Sequence, residues 1–136
     1  IDKIIEKEMQ MTVADIFSQK GEPFFRSVEE KIVLKALQNK RSIISLGGGA
    51  FFNDKIRKEI IMNHVSFWLN WSSKTLLNRI RKSAKRPIAN KLSNKELIDL
   101  IYKRKKIYTK AKFKINCDKL SKQQILLNIQ RAYETI

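Results

Sequence analysis

Residues Ser42–Ala50 read SIISLGGGA, and the reading of this stretch decides the fold. Ile43, Ile44 and Leu46 form a short apolar run of the kind that builds a buried parallel strand. Three glycines follow at once, and helix-like sequence follows them. That order brings bare backbone N–H groups to the carboxyl end of a sheet, the edge at which open α/β sheets bind ligands. Glycine is needed there because a side chain would block the close approach of a ligand. A flexible glycine turn without a ligand is the competing reading, and the charged residues around the stretch bear on the choice.

A chain of 136 residues suits one domain with a real core. No apolar run approaches the roughly 18 residues of a membrane span, and the opening IDKIIEKE has no apolar block behind a basic one. Cys117 is the single cysteine, so no internal disulfide forms within these residues and a cytoplasmic setting is expected. At the end of a predicted strand, Cys117 reads as a small buried apolar residue. The formal charge of +16 invites a nucleic-acid reading. The lysines, however, lie along almost every segment and rise together with isoleucine and asparagine, which is a general compositional bias rather than one basic face. Neither a nucleic acid nor a membrane is expected as a partner.

Read in order, Asp2–Lys7 is a short helix with Ile1, Ile4 and Ile5 on one face. Thr12 caps a helix over Val13–Gln19, and Gly21 closes it. Glu22 and Pro23 open the next, Pro23–Asn39, with proline in the first turn. On a wheel of about 100° per residue, Phe25, Val28, Ile32, Val33, Ala36 and Leu37 fill one apolar arc. Arg26 and Glu29 fall inside that arc. They either pair simply with each other, or border a polar cleft, with Arg26 aimed at an anion and Glu29 holding the arginine or a ligand hydroxyl.

After the glycines, a helix over Asn53–Asn63 turns Ile56, Ile60 and Ile61 inward, and Val65–Leu69 is the next buried strand. Ser72 or Ser73 caps Lys74–Lys82, which carries Leu76, Leu77 and Ile80 inward and Arg79 and Arg81 outward. Ser83–Ser93 has no period, holds Arg86 and Pro87, and reads as a lid or as a plain surface loop. In the helix Asn94–Lys110, Leu97, Leu100, Ile101 and Tyr108 form a stripe with Arg104 at its centre. A guanidinium there needs an anion, because leaving it unpaired in apolar surroundings is costly. Phe113–Cys117 is the last strand, and Ser121–Tyr133 closes the chain with Ile125, Leu126 and Ile129 inward. The alternation predicts a parallel α/β sheet with helices on both faces.

Several motifs recur here in one order: D-x-x-I-E (Asp2, Ile5, Glu6), IF-x-x-x-GE-x-x-FR-x-x-E (Ile16 to Glu29), SLGGGA, the RP of Arg86 and Pro87, and R-x-x-x-Y (Arg104, Tyr108). In that order and spacing the chain resembles the shikimate kinases, of the nucleoside-monophosphate-kinase-like P-loop fold. The resemblance implies a three-layer α/β/α domain over 1–136 with a parallel sheet in the order 2-3-1-4-5. It implies ATP-dependent phosphorylation of the shikimate 3-hydroxyl by a cytoplasmic monomer using ATP and Mg2+. Asp2 would hold the acceptor hydroxyl and serve as base, and Arg26 and Arg104 would clamp the carboxylate. Gly48 and Gly49 would offer N–H groups, and Phe17, Phe25 and Glu29 would line the pocket. Arg86 would be the lid arginine, catalytic on the phosphates, and Arg79 would lie near the adenine.

The sequence also departs from the family. No Gly-x-x-Gly-x-Gly-Lys-Ser/Thr loop occurs, no metal ligand is expected within these residues, and Gln10 stands where the family commonly has a helix-ending glycine. The expectation is a shikimate kinase cut within its second strand. Its first two strands and phosphate loop would be absent, Ile43–Leu46 would stay unpaired with Val65–Leu69, and the chain alone would be inactive. A kinase of another polyol acid such as gluconate, or a non-catalytic substrate-binding relative, are the alternatives.

Overall fold

The structure is a computed structural model that describes residues 1–82 and 92–136. Along the chain run α1 (Asp2–Met9), α2 (Val13–Leu37), a 3-10 turn (Ala50–Phe52), α3 (Asp54–Asn63), β1 (Phe67–Asn70), α4 (Ser73–Arg81), α5 (Asn94–Tyr108), β2 (Phe113–Asn116) and α6 (Lys122–Tyr133). The described residues gather into two compact units, Ile1–Met62 and Asn63–Ile136.

In the first unit α1 packs on α2 around Ile5, Ile16, Phe25 and Ile32. Burying each of these side chains contributes about 1.5–3 kcal/mol before entropy is counted. Ile4, expected on the same face as Ile5, is exposed instead. Gln10 ends α1 in the left-handed conformation at φ 49°, its N–H donating to the Glu6 carbonyl. The Thr12 hydroxyl accepts the Asp15 N–H and starts α2. The two helices expected on either side of Gly21 run on as one element, but Gly21 itself is non-helical at φ 79°, ψ 170°. Glycine alone adopts that region without large strain. Pro23 follows the break, where its missing N–H costs nothing.

In the second unit β1 and β2 form a parallel pair in register from Phe67 opposite Phe113 to Asn70 opposite Asn116. The two phenylalanine rings stack at 5.3 Å, and Asn70 Nδ2 donates to Asn116 Oδ1 at 3.0 Å. Ile80 of α4 meets Leu97 and Ile101 of α5 in a second core. Reciprocal capping boxes start α5 at Ser93 with Glu96 and α6 at Ser121 with Gln124. Cys117 is buried, as expected, and its thiol donates to the Ile115 carbonyl.

Three expectations are corrected. Ile43–Leu46 is not a strand; the described residues hold one two-stranded sheet, made of β1 and β2. An apolar run becomes a strand only with a hydrogen-bonded neighbour, and Ile43 here is fully exposed. The strand expected at Val65–Leu69 is Phe67–Asn70, half-buried rather than buried, because a ladder runs along one side of it only. Ile61 and Leu126, placed inward by helical period, are exposed. The pairing of β1 with β2 leaves Ile43–Leu46 outside the sheet.

Candidate active site

Helix α2 supplies the centre of the site. Glu29 is buried among the apolar side chains of its arc, and its Oε2 accepts from Arg26 Nη1 at 2.6 Å. Arg26 Nε and Nη2 donate to Glu22 Oε1 at 3.2 and 3.1 Å. Burial opposes the charge on Arg26, but the hydrogen bonds and charges of Glu29 and Glu22 outweigh it and raise the guanidinium pKa above its ordinary value. Of the two sequence readings, pairing is therefore realised, and it also leaves the guanidinium half-exposed at the edge of the apolar arc. Phe25 lies beneath Arg26, ring centre 5.3 Å from Cζ, and Phe17 packs on Phe25 at 4.6 Å.

The glycine stretch lies directly against these charges. A methyl group at Gly49 would fall on Nη1, Nη2 and Cζ of Arg26. At Gly47 it would lie 3.4 Å from Glu29 Oε1 and 3.5 Å from Asp2 Oδ1. Asp2, at the first turn of α1, is thereby brought to the same loop as Arg26 and Glu29. Gly49 has ordinary helical torsions (φ −94°, ψ −25°), so glycine is required there for space and not for the turn. Gly48 is exposed at the turn. A hollow of about 280 Å³ opens beside Asp2, lined by Ile1, Lys3, Ser45, Leu46 and Gly47. It lies at the small end of the range for ligand pockets, about 300–1,000 Å³.

The far end of the loop is anchored as well. Asn53 Nδ2 donates to Glu30 Oε2 at 2.6 Å and Lys55 Nζ to Glu30 Oε1 at 2.8 Å. Asn53 Oδ1 accepts the N–H groups of Lys55 and Ile56 and starts α3. Arg57 donates to the Phe51 and Phe52 carbonyls and pairs with Asp54.

Other expected site residues lie in the second unit. Arg104 is half-buried on α5, and among the described residues nothing hydrogen-bonds or ion-pairs with it. Arg79 is exposed, its guanidinium 4.7 Å above the Trp71 ring. Arg86, Pro87 and most of the expected lid lie outside the described residues. Among the described residues no cluster of His, Cys, Asp or Glu could hold a metal ion. No described helix is long and apolar enough to cross a membrane. Sequence reasoning missed Glu22 and Gly47. Glu22 had a signal in its i,i+4 spacing to Arg26, whereas Gly47 had only its place in the triplet.

A family model described as shikimate kinase matches residues 1–134. A shikimate kinase of Bartonella henselae is 34% identical over 98% of this chain and 64% of its own length. The chain thus spans less than two thirds of that relative. The crystal structure of shikimate kinase from Bacteroides thetaiotaomicron superposes with a TM-score of 0.79 at 30% identity, covering 98% of this chain and 80% of that one. The shikimate kinase from Acinetobacter baumannii in complex with shikimate shares the fold at a TM-score of 0.90 and 22% identity, with 98% and 76% covered. The parallel α/β architecture is that of these kinases, and the chain belongs to the shikimate kinase family.

Proposed function

We propose that the protein transfers the terminal phosphoryl group of ATP to the 3-hydroxyl of shikimate. The observation that carries this reading is the Arg26 guanidinium, fixed by buried Glu29 and laid against Gly49, with the Asp2 carboxylate against Gly47 of the same loop. A cation held rigidly beside a carboxylate is what an acceptor bearing one carboxylate and several hydroxyls requires. Arg26 and Arg104 bind the acid. Asp2 orients the acceptor hydroxyl and takes its proton as the new bond forms. The backbone of Gly48 and Gly49 faces the reacting group, while Phe17, Phe25 and Glu29 exclude water from one side.

On the donor side ATP supplies the phosphoryl group, with Arg86 as the lid arginine that acts on the phosphates and Arg79 near the base. Mg2+ is part of this reading, but the described residues do not form a ligand set for it, and no step here passes through it. The enzyme acts by positioning and charge neutralisation. In the same reading residues 1–136 belong to one domain whose full sheet has the order 2-3-1-4-5. β1 and β2 are its fourth and fifth strands, and the protein is a cytoplasmic monomer.

The test is turnover by the intact protein with Arg26→Ala or Arg104→Ala. Losing one arm of the clamp should cost about 2–5 kcal/mol, or roughly 30- to 5,000-fold in kcat/KM for shikimate, with the KM for ATP nearly unchanged. Arg→Lys should fare poorly, because an ammonium cannot reproduce the planar fork. Near-normal turnover of shikimate by either alanine variant, or preference for gluconate as acceptor, would overturn the assignment.

A further inference from the structure

An arginine carries five N–H donors in a fixed plane. In Arg26 three are committed: Nε and one N–H of Nη2 to Glu22, and one N–H of Nη1 to Glu29. Among the described residues one N–H on Nη1 and one on Nη2 remain unengaged. Two donors, one on each terminal nitrogen, can be offered together to a ligand carboxylate. The guanidinium cannot slide away from that pose, because Gly49 lies against Cζ, Nη1 and Nη2 and the Phe25 ring lies 5.3 Å from Cζ. It can still pivot about its bond to Glu29 unless its Nε edge is held, and the group holding that edge is Glu22. Glu22 begins the helical run directly after the Gly21 break, one turn before Arg26, and its carboxylate meets the Nε–Nη2 edge.

We propose that Glu22 is a positioning residue for the acceptor site: it fixes the Nε edge of Arg26 so that the Nη1–Nη2 pair is presented ready-made to the substrate carboxylate. This rests on the reading of Arg26 as a shikimate-binding residue. Glu22 touches no reacting atom. Its side chain is 50% exposed, so the pair contributes little to folding stability, and substituting it leaves the core intact.

The experiment compares Glu22→Ala and Glu22→Gln in the intact protein, alone and with Arg26→Lys. Misorienting a binding group by a fraction of its own length commonly costs one to two orders of magnitude, so Glu22→Ala should raise the KM for shikimate about tenfold. Its kcat, KM for ATP and urea midpoint should stay near wild type. Gln retains an oxygen that can accept from both Nε and Nη2, and should restore the KM to within about threefold. In the Arg26→Lys background Glu22→Ala should add nothing, because lysine has no Nε edge to hold. An unchanged or lowered KM in Glu22→Ala would overturn the proposal, as would failure of Gln to rescue or an undiminished effect in the Arg26→Lys background. If Arg26→Ala impairs shikimate use while Glu22→Ala does not, this inference alone fails. If Arg26→Ala is itself harmless, the proposed function fails.

Discussion

Gly49 has φ −94° and ψ −25°, torsions that alanine adopts freely, so Gly49→Ala changes the space beside Arg26 and little else. In an unobstructed position the substitution would stabilise by about 0.4–1 kcal/mol through the unfolded chain. Here the new methyl group coincides with the Arg26 guanidinium. The guanidinium must move, and the bond it gives up is the 2.6 Å contact with buried Glu29. A hydrogen bond between charged groups is worth about 1.5–3 kcal/mol net, so the balance is a loss of about 1–2 kcal/mol. With a urea slope of about 2 kcal/mol/M, the unfolding midpoint of the intact protein should fall by about 0.5–1 M. Shikimate affinity, measured by calorimetry, should fall by about 2–5 kcal/mol, as for Arg26→Ala itself. The decisive comparison is the double variant. Once Arg26 is replaced by alanine, the methyl group at 49 meets no guanidinium, and adding it should stabilise by about 0.4–1 kcal/mol. Gly47→Ala is the control, since its methyl group would make ordinary contacts of 3.4 and 3.5 Å, and stability should change by less than about 0.5 kcal/mol. Wild-type stability and affinity in Gly49→Ala, or the same sign of effect with and without Arg26, would refute the reasoning.

Gln10 holds a left-handed helix-end conformation that glycine adopts without a Cβ clash, so Gln10→Gly should stabilise by about 0.5–1 kcal/mol in urea unfolding. Burial raises the Cys117 thiol pKa above its ordinary value, and a thiol-disulfide dye should react with the native protein only at its rate of opening; prompt labelling at neutral pH would contradict the packing. Partial loss of hydration raises the Asp118 carboxyl, but the Ser72 N–H and the Thr75 and Ser72 hydroxyls outweigh it and hold the pKa below the usual carboxylate value. A depressed folded value stabilises fully above the unfolded value of about 3.9 and is lost as pH falls through the folded one, so Asp118→Asn should flatten stability against pH on the acid side. Removing the Ser93 or Ser121 hydroxyl should cost about 1 kcal/mol each by the loss of a helix cap.

The helical period makes the site's centre visible in the sequence alone. A charge inside an apolar arc is conspicuous at 3.6 residues per turn, and Arg26 and Glu29 stand out that way. The caps at Thr12 and Ser72 and the break at Gly21 are local chemistry, legible in a few residues. What failed was non-local. Ile43–Leu46 has the composition of a strand, but a strand needs a neighbour, and nothing in a four-residue run says whether one is present. Ile61 and Leu126 lie on faces that the period marks as apolar, yet burial depends on what packs against the face. The triplet of glycines announced a close approach without saying that Gly49 meets a guanidinium and Gly47 two carboxylates.

Glu29 and Glu30 are neighbours in sequence and about 100° apart around α2. One carboxylate grips the arginine beneath the glycines, and the other grips Asn53 and Lys55 beyond them. The glycine motif is therefore not a portable cassette. A designer who moved SLGGGA to another scaffold would carry over the clearance but none of the grips. The smallest unit worth transplanting is the helical stretch 22–30 together with residues 45–57, with the angle between adjacent glutamates kept intact.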